Sequence, residues 1–457
     1  MRTGEPTRAP RILRLTVGLI IVLWLIATTG GRQILIQEVL GEAYDSQAEH
    51  LLRGDPGVDV EAIRSEAMIV DGKVRMYFGP FPALLRIPLN LLYPQGRGRW
   101  SRVSGFSAAV VGLLAFAGLL RETLPFAPLS ARARNWLANA CLLGFAFASP
   151  LLFLLGNLSI YNEAVLWGLS SSIAALYFFC RSRSAATARE VAKSLFCFSI
   201  FTTIALLSRV TFGAPLLLMA PLLAVRLLRE HRLARLLLVF FPAALGLVFY
   251  LLLNYARFGS LLRMNYDYYV GPVHREFARA HGVFNLLRVP SSFADYFSLR
   301  FPPLQSTPPF FVGQRHYLAH PTLYSLPFSE NYVSVLWCSG WLVLGAMIGI
   351  LLLFQKRHGD AIDRCTAAIL FIEFVGILAY FALAQRYSAD LYPFLIFALA
   401  IFLRSGGNVW QRTAIVGLVA VSIVVNTLTT ASWIAADGNL PPETRTFWAR
   451  LAGKQHL

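Results

Sequence analysis

Apolar residues run in long blocks along this chain, near residues 14-30, 103-120, 136-155, 163-180, 194-208, 212-228, 236-254, 333-354, 366-384, 391-403 and 413-433. A helix needs roughly 20 apolar residues to cross the hydrocarbon of a bilayer, so the pattern predicts an all-α polytopic membrane protein with about eleven transmembrane helices. Segment 81-93, interrupted by Pro82 and Pro88, is too short to span and reads as an interfacial or re-entrant piece. Two polar intervals, 31-100 and 255-332, are far longer than the others.

Within the first interval the pattern changes period. Over residues 42-53 the spacing predicts a helix lying on the membrane, with Glu42, Asp45 and Glu49 on one face and Tyr44, Ala48, Leu51 and Leu52 on the other. The run MIVDGKVRMYF then alternates, and its Asp71-Gly72 pair predicts a two-residue type I′ turn between short strands. The Pro and Gly of FGPFP stop the second strand.

Composition fixes the class. With 56% hydrophobic and 14% charged residues, the chain is too apolar for a soluble domain. Basic residues near short loops stay cytoplasmic. Placing the N-terminus inside puts Arg121, Arg132, Arg134, Arg181, Arg183, Arg189, Lys193, Lys356, Arg357, Arg404 and Arg412 on the inner side, and leaves only Arg209 and Arg386 in the short outer turns. Arg97, Arg99 and Arg102 are the exception, falling outside. The resulting division is a cytoplasmic N-terminus with the first transmembrane helix (1-30), an extracytoplasmic loop with interfacial helices and hairpin (31-100), a transmembrane bundle (101-254), a second extracytoplasmic loop (255-332), further transmembrane helices (333-433) and an extracytoplasmic tail (434-457). The first span carries no cleavage site after it and is expected to be retained.

The net charge of +17 lies mostly in the inner loops, where anionic lipid headgroups suffice as partners and nucleic acid is not needed. Four lysines against 37 arginines suggest a GC-rich bacterial genome, hence an inner-membrane location. The five cysteines form no disulfide framework, and His274, His281, His316 and His320 have no ligand spacing, so no cofactor is expected and a divalent cation has no support from spacing. The absence of a P-loop or dinucleotide fingerprint argues against ATP-driven transport and redox work.

Nine of the chain's 24 acidic residues, from Glu38 to Asp71, crowd the first outer interval beside this greasy bundle, as a candidate active site would. Here the chain resembles the C-type (GT-C fold) membrane glycosyltransferases, including the lipid A aminoarabinose transferases and protein O-mannosyltransferases. The resemblance lies in an acid just outside the first span, the stretch YDSQAEHLLRGD, a hairpin ending in an aromatic-Pro turn, an interfacial helix, and the stretches YNEAVLWG, NYARFGS and AQRYSADLYPFL. Where the aminoarabinose transferases carry a Glu-Lys pair, this chain has Gly79 and Pro80.

The resemblance implies transfer of a sugar from a polyprenyl-phosphate donor to a glycan, lipid or protein acceptor on the outer face. Such a transfer, if inverting, needs a carboxylate base and cations for the leaving phosphate. Asp45 is the expected base, with Glu42 its rival. Arg386 and Arg257 are the expected phosphate ligands, and Glu163, Tyr387 and Tyr77 the expected substrate contacts. Glu373, inside a span, is read as structural. A transporter or flippase of a lipid-linked glycan, or a surface-polysaccharide polymerase or ligase, remains an alternative, although the chain shows no internal repeat of the kind transporters carry.

Overall fold

The computed structural model describes residues 11-229, 233-311, 330-355 and 359-454. Helices dominate it. Each apolar block falls mostly in helix, and polar residues start many of the helices: Ser130, Ser149 and Ser159 cap by accepting backbone N–H groups, while Thr187 with Glu190 and Asn408 with Gln411 form capping boxes.

Among the described residues seven helical segments are long and apolar enough to cross a membrane: 101-126, 131-156, 160-184, 188-208, 236-258, 385-405 and 409-436. Of the expected eleven spans, these seven reach full length, and further expected blocks fall in other helices. Leu13–Ala27 and Gly340–Leu353 are apolar but shorter, the apolar Val210–Arg229 has 20 residues with Pro215 and Pro221 inside it, and Ala361–Leu378 carries Asp363, Arg364 and Glu373 within its length. The protein is a multi-pass membrane protein. Ile160–Ser184 runs through its centre, almost wholly enclosed by neighbouring helices, whereas Leu236–Phe258 is covered on little of its surface. At the end of the bundle where inner loops were expected, Arg183 pairs with Asp360 and Asp363, and Arg404 with Asp363.

The other end carries the candidate chemistry. Helix Glu42–Leu52 packs on helix Phe81–Leu92 and on the start of Ile160–Ser184, where Ile160 N–H donates to Val39 O at 3.1 Å and Tyr44 Oη donates to Ile160 O at 2.9 Å. The predicted hairpin is present, with Met68, Ile69 and Val70 opposite Arg75, Val74 and Lys73. Its turn residues Asp71 and Gly72 have φ of 48° and 73°, as a type I′ turn requires. Gly79 then passes so close to the end of helix Ala188–Ser208 that a Cβ would lie 2.2 Å from Ser208 O.

The picture of a helix resting on the membrane is corrected. Glu42, Asp45 and Glu49 do share a face, but that face meets the 86-99 segment: Arg97 binds Glu49 at 2.7 Å, Arg86 approaches Asp45, and Gly98 abuts Glu42. Asp45 is buried, and so are Tyr44 and Ala48 on the other face, so protein covers both sides of the helix and only its end, at Leu52, is exposed. The same contacts account for the basic residues expected on the outer side. Arg102, fully buried, binds Glu38 at 2.7 Å, Gln33 O at 2.8 Å and Thr444 Oγ1 at 2.7 Å.

Candidate active site

Beneath the Glu42–Leu52 helix lies a buried charge cluster. Arg86 Nη2 donates to the Glu163 carboxylate at 2.8 Å, and Arg86 Nε sits 3.6 Å from Asp45 Oδ2; none of the three side chains is more than 2% exposed. Asn90 Nδ2 donates to Asp45 Oδ1 at 2.8 Å and is itself held by Trp100 Nε1 at 2.8 Å. Burial pushes the Asp45 carboxyl above its ordinary range, against the pull of Arg86 and then of Asn90. Arg86 is what makes two interior carboxylates tolerable, since a buried charge without a partner is strongly unfavourable. Glu163 also lies in the first turn of its helix, where the dipole favours an anion.

Asp45 does not line either of the two large cavities at this end of the molecule, whereas Glu42 does. The larger, of about 1140 Å³, is bounded by the 37-42 segment, the start of helix Ile160–Ser184 and the 433-442 turn. Glu42 is half-buried there and accepts a hydrogen bond from Gln37 Nε2.

The smaller cavity, of about 780 Å³, is lined by Val165, Leu206, Val210, Leu253 and Ile377 from the helices, together with polar residues. Arg209, Arg257, Arg263 and Arg386 line it, with no carboxylate among the described lining residues. Arg257 is buried; its Nη1 donates to Phe78 O at 3.0 Å while Nε and Nη2 have no partner in the protein. Such a guanidinium is a strong ligand for phosphate, whose oxygens match its planar fork. Arg209 is bound to Asp390 at 3.3 Å and stands over the Tyr387 ring.

Arg386 lines both cavities. Its guanidinium lies 4.6 Å from the Tyr161 ring and 4.8 Å from that of Tyr387, and it pairs with Glu330. Behind this junction Glu66 accepts from Tyr77 Oη at 2.7 Å and Tyr269 Oη at 3.0 Å, tying the hairpin to the second loop. Burial, and then the Glu66 charge, push the Tyr77 phenol up, so it remains a donor.

No protein-family model and no curated protein sequence matches this chain. Two solved structures align with nearly all of it. One is ArnT from Cupriavidus metallidurans bound to undecaprenyl phosphate, with 13% identity over 96% of this chain and 84% of that one and a TM-score of 0.48. The other is the Archaeoglobus fulgidus oligosaccharyltransferase in complex with zinc and sulfate, with 13% identity over 94% of this chain but only 58% of that one, and a TM-score of 0.49. At these scores the likeness is one of outline, and what the site can do follows from its own residues.

Of the residues singled out in the sequence, Glu42, Arg386, Arg257, Tyr387 and Tyr77 line the cavities, while Asp45 and Glu163 join the ion cluster behind them. Arg86, Arg209 and Glu66 went unassigned. An arginine inside the apolar run FPALLRIPLNLL was the available signal for Arg86, because an ionisable residue in such a run implies a partner. Glu373 is buried in its helix and lines neither cavity. Among the described residues no group of three or more His, Cys, Asp and Glu could hold a metal; His316 and His320 lie outside the described residues.

Proposed function

We propose that this chain is a membrane glycosyltransferase that moves a sugar from a polyprenyl-phosphate donor to an acceptor on the extracytoplasmic face of a bacterial inner membrane. The observation that carries this reading is the smaller cavity: apolar side chains from the helices share its lining with four arginines and no carboxylate among the described lining residues, and Arg257 has two unpartnered nitrogens. That combination suits an apolar chain ending in a phosphate. The donor phosphate sits on Arg257 and Arg386, and its sugar reaches the Tyr161 and Arg386 junction.

Glu42 is the base in this scheme. An acceptor hydroxyl in the larger cavity gives its proton to Glu42 as its oxygen attacks the anomeric carbon from the face opposite the phosphate. The bond between that carbon and the phosphate oxygen breaks, and the electron pair leaves with the phosphate, whose charge Arg257 and Arg386 stabilise. Asp45 is a positioning residue, held by Arg86 and Asn90 in the helix that presents Glu42.

The test is a reconstituted assay with a set of polyprenyl-phosphate-linked sugars, read as release of polyprenyl phosphate. Turnover that falls at least about 10²-fold in Glu42→Gln is the expected result for loss of a general base. Movement of an intact lipid-linked sugar across the bilayer without cleavage would replace this reading by a flippase.

A further inference from the structure

The larger cavity differs in chemistry from the smaller one, and the difference bears on the acceptor. Among the described lining residues Glu38, Glu42, Glu330 and Asp437 face Arg64 and Arg386; Glu38 is paired with Arg102 behind the wall, which leaves Glu42 and Asp437 without an arginine partner. Arg386 is already paired with Glu330, and Arg64 is exposed. The Glu42 and Asp437 carboxylates disfavour a phosphorylated or uronate ligand beside them.

Its neutral lining is rich in carboxamides, with Gln37, Asn157, Asn162 and Asn439 among them. A carboxamide offers donor and acceptor side by side, matching hydroxyl groups that do the same. Three buried atoms on lining residues have no partner in the protein: Trp433 Nε1, a donor, and Asn162 Oδ1 and Glu38 Oε2, acceptors. These residues are 7%, 3% and 4% exposed. Buried polar atoms are normally satisfied. A phosphate oxygen only accepts, whereas a sugar hydroxyl both donates and accepts, and so matches a set that mixes a donor with two acceptors. The aromatic faces of Trp433 and Tyr161 add flat surfaces suited to sugar rings. An extended peptide would need free backbone to pair with, yet Val39 on this wall is already bridged to Ser159.

We propose that the larger cavity binds the acceptor and that the acceptor is a neutral, hydroxyl-rich glycan. The proposal rests on the transferase reading above. A volume of about 1140 Å³ accommodates more than a single small ligand, since typical small-molecule pockets run from roughly 300 to 1,000 Å³.

The protein in lipid nanodiscs, labelled with a fluorophore, is applied to an array of neutral oligosaccharides, uronate-containing and phosphorylated counterparts, and Ser- and Thr-containing peptides. Undecaprenyl phosphate binding is measured on the same preparation. Neutral glycans are expected to retain the wild type, and Trp433→Phe, which keeps a ring but removes the donor, should weaken that retention by about fivefold to tenfold, the value of one hydrogen bond. Asn162→Ala should act in the same direction. Undecaprenyl phosphate binding should be unchanged in both variants, which also shows that they fold. Preferential retention by phosphorylated or uronate glycans, retention by peptides alone, or neutral-glycan binding equal in wild type and both variants would overturn the proposal. Failure to bind any neutral glycan while undecaprenyl phosphate still binds would overturn it and leave the transferase reading intact. Loss of both would overturn both.

Discussion

Arg86 and Glu163 meet at 2.8 Å with neither side chain exposed to solvent, although they are separated by 77 positions and belong to different helices. The contact fixes the outer loop to the central span, and it brings Asp45 into the same field at 3.6 Å. Breaking one member of a buried pair leaves the other uncompensated, at a cost of about 3–5 kcal/mol. Arg86→Met should therefore lower the thermal midpoint sharply or abolish stable insertion, as read by a thermal-shift assay on purified protein. A variant indistinguishable from wild type would show that the cluster is solvated in the membrane.

The two acids of the Glu42–Leu52 helix should separate. Asp45→Asn keeps the size of the side chain and its contact with Asn90, and turnover should drop no more than about tenfold, whereas Glu42→Gln should lose at least about 10²-fold. Polyprenyl-phosphate release in a single-turnover assay distinguishes them. The opposite ranking would return the base to Asp45.

Arg386 is flanked by Tyr161 and Tyr387, and a lysine can neither stack between rings nor present a planar fork. Arg386→Lys should weaken undecaprenyl phosphate binding nearly as much as Arg386→Ala, and Arg257→Ala should weaken it by at least about tenfold if a charge-assisted hydrogen bond worth about 1.5–3 kcal/mol is lost. Equal affinity for wild type and all three variants would remove both arginines from the donor site.

Stability should depend on pH through one small cluster. His50 contacts Asp55 at 2.7 Å and Asp59 at 3.2 Å, and Arg75 contacts Asp55 at 3.2 Å. Partial burial of His50 opposes its charge, but the hydrogen bonds to both acids outweigh it and hold its pKa above the ordinary value. That contribution is fully present below pH ~6.5 and fades as pH rises through the raised value. Asp55 is held low despite some desolvation, by His50 and Gly57, and Asp59 by Ser46 and then His50. Their contribution is present above pH ~3.9 and fades as pH falls through the lowered values. His50→Ala should flatten the thermal midpoint against pH from about 6.5 upward; an unchanged profile would show that the ring is not linked to folding.

A reporter fused after Gly54 or after His281 should signal the extracytoplasmic compartment, and one fused near Arg183 the cytoplasm. A cytoplasmic signal at Gly54 would move the cavities to the wrong side for a polyprenyl-linked donor presented outside.

Local chemistry was readable where it is local. The Asp71-Gly72 turn, the apolar helices and the shared face of Glu42, Asp45 and Glu49 all follow from residue type and period. What that shared face touches does not, because it depends on Arg86, Asn90 and Arg97 arriving from another segment. The misplaced-looking arginines show the same limit. Counting basic residues treats each as unpaired, whereas Arg97 and Arg102 are matched by Glu49 and Glu38 from residues far upstream. The block 14-30 outruns its helix, Leu13–Ala27, because its apolar and small residues continue past the helix end, whereas 212-228 lies wholly inside helix Val210–Arg229.

Arg386 lines two compartments, and its counterion Glu330 lines only the larger of them. A phosphate that draws this guanidinium towards the smaller cavity releases an uncompensated negative charge into the larger one. Occupants of the two chambers would then be coupled through a single shared charge, and by thermodynamic reciprocity whatever the first did to the affinity of the second, the second would do to the first.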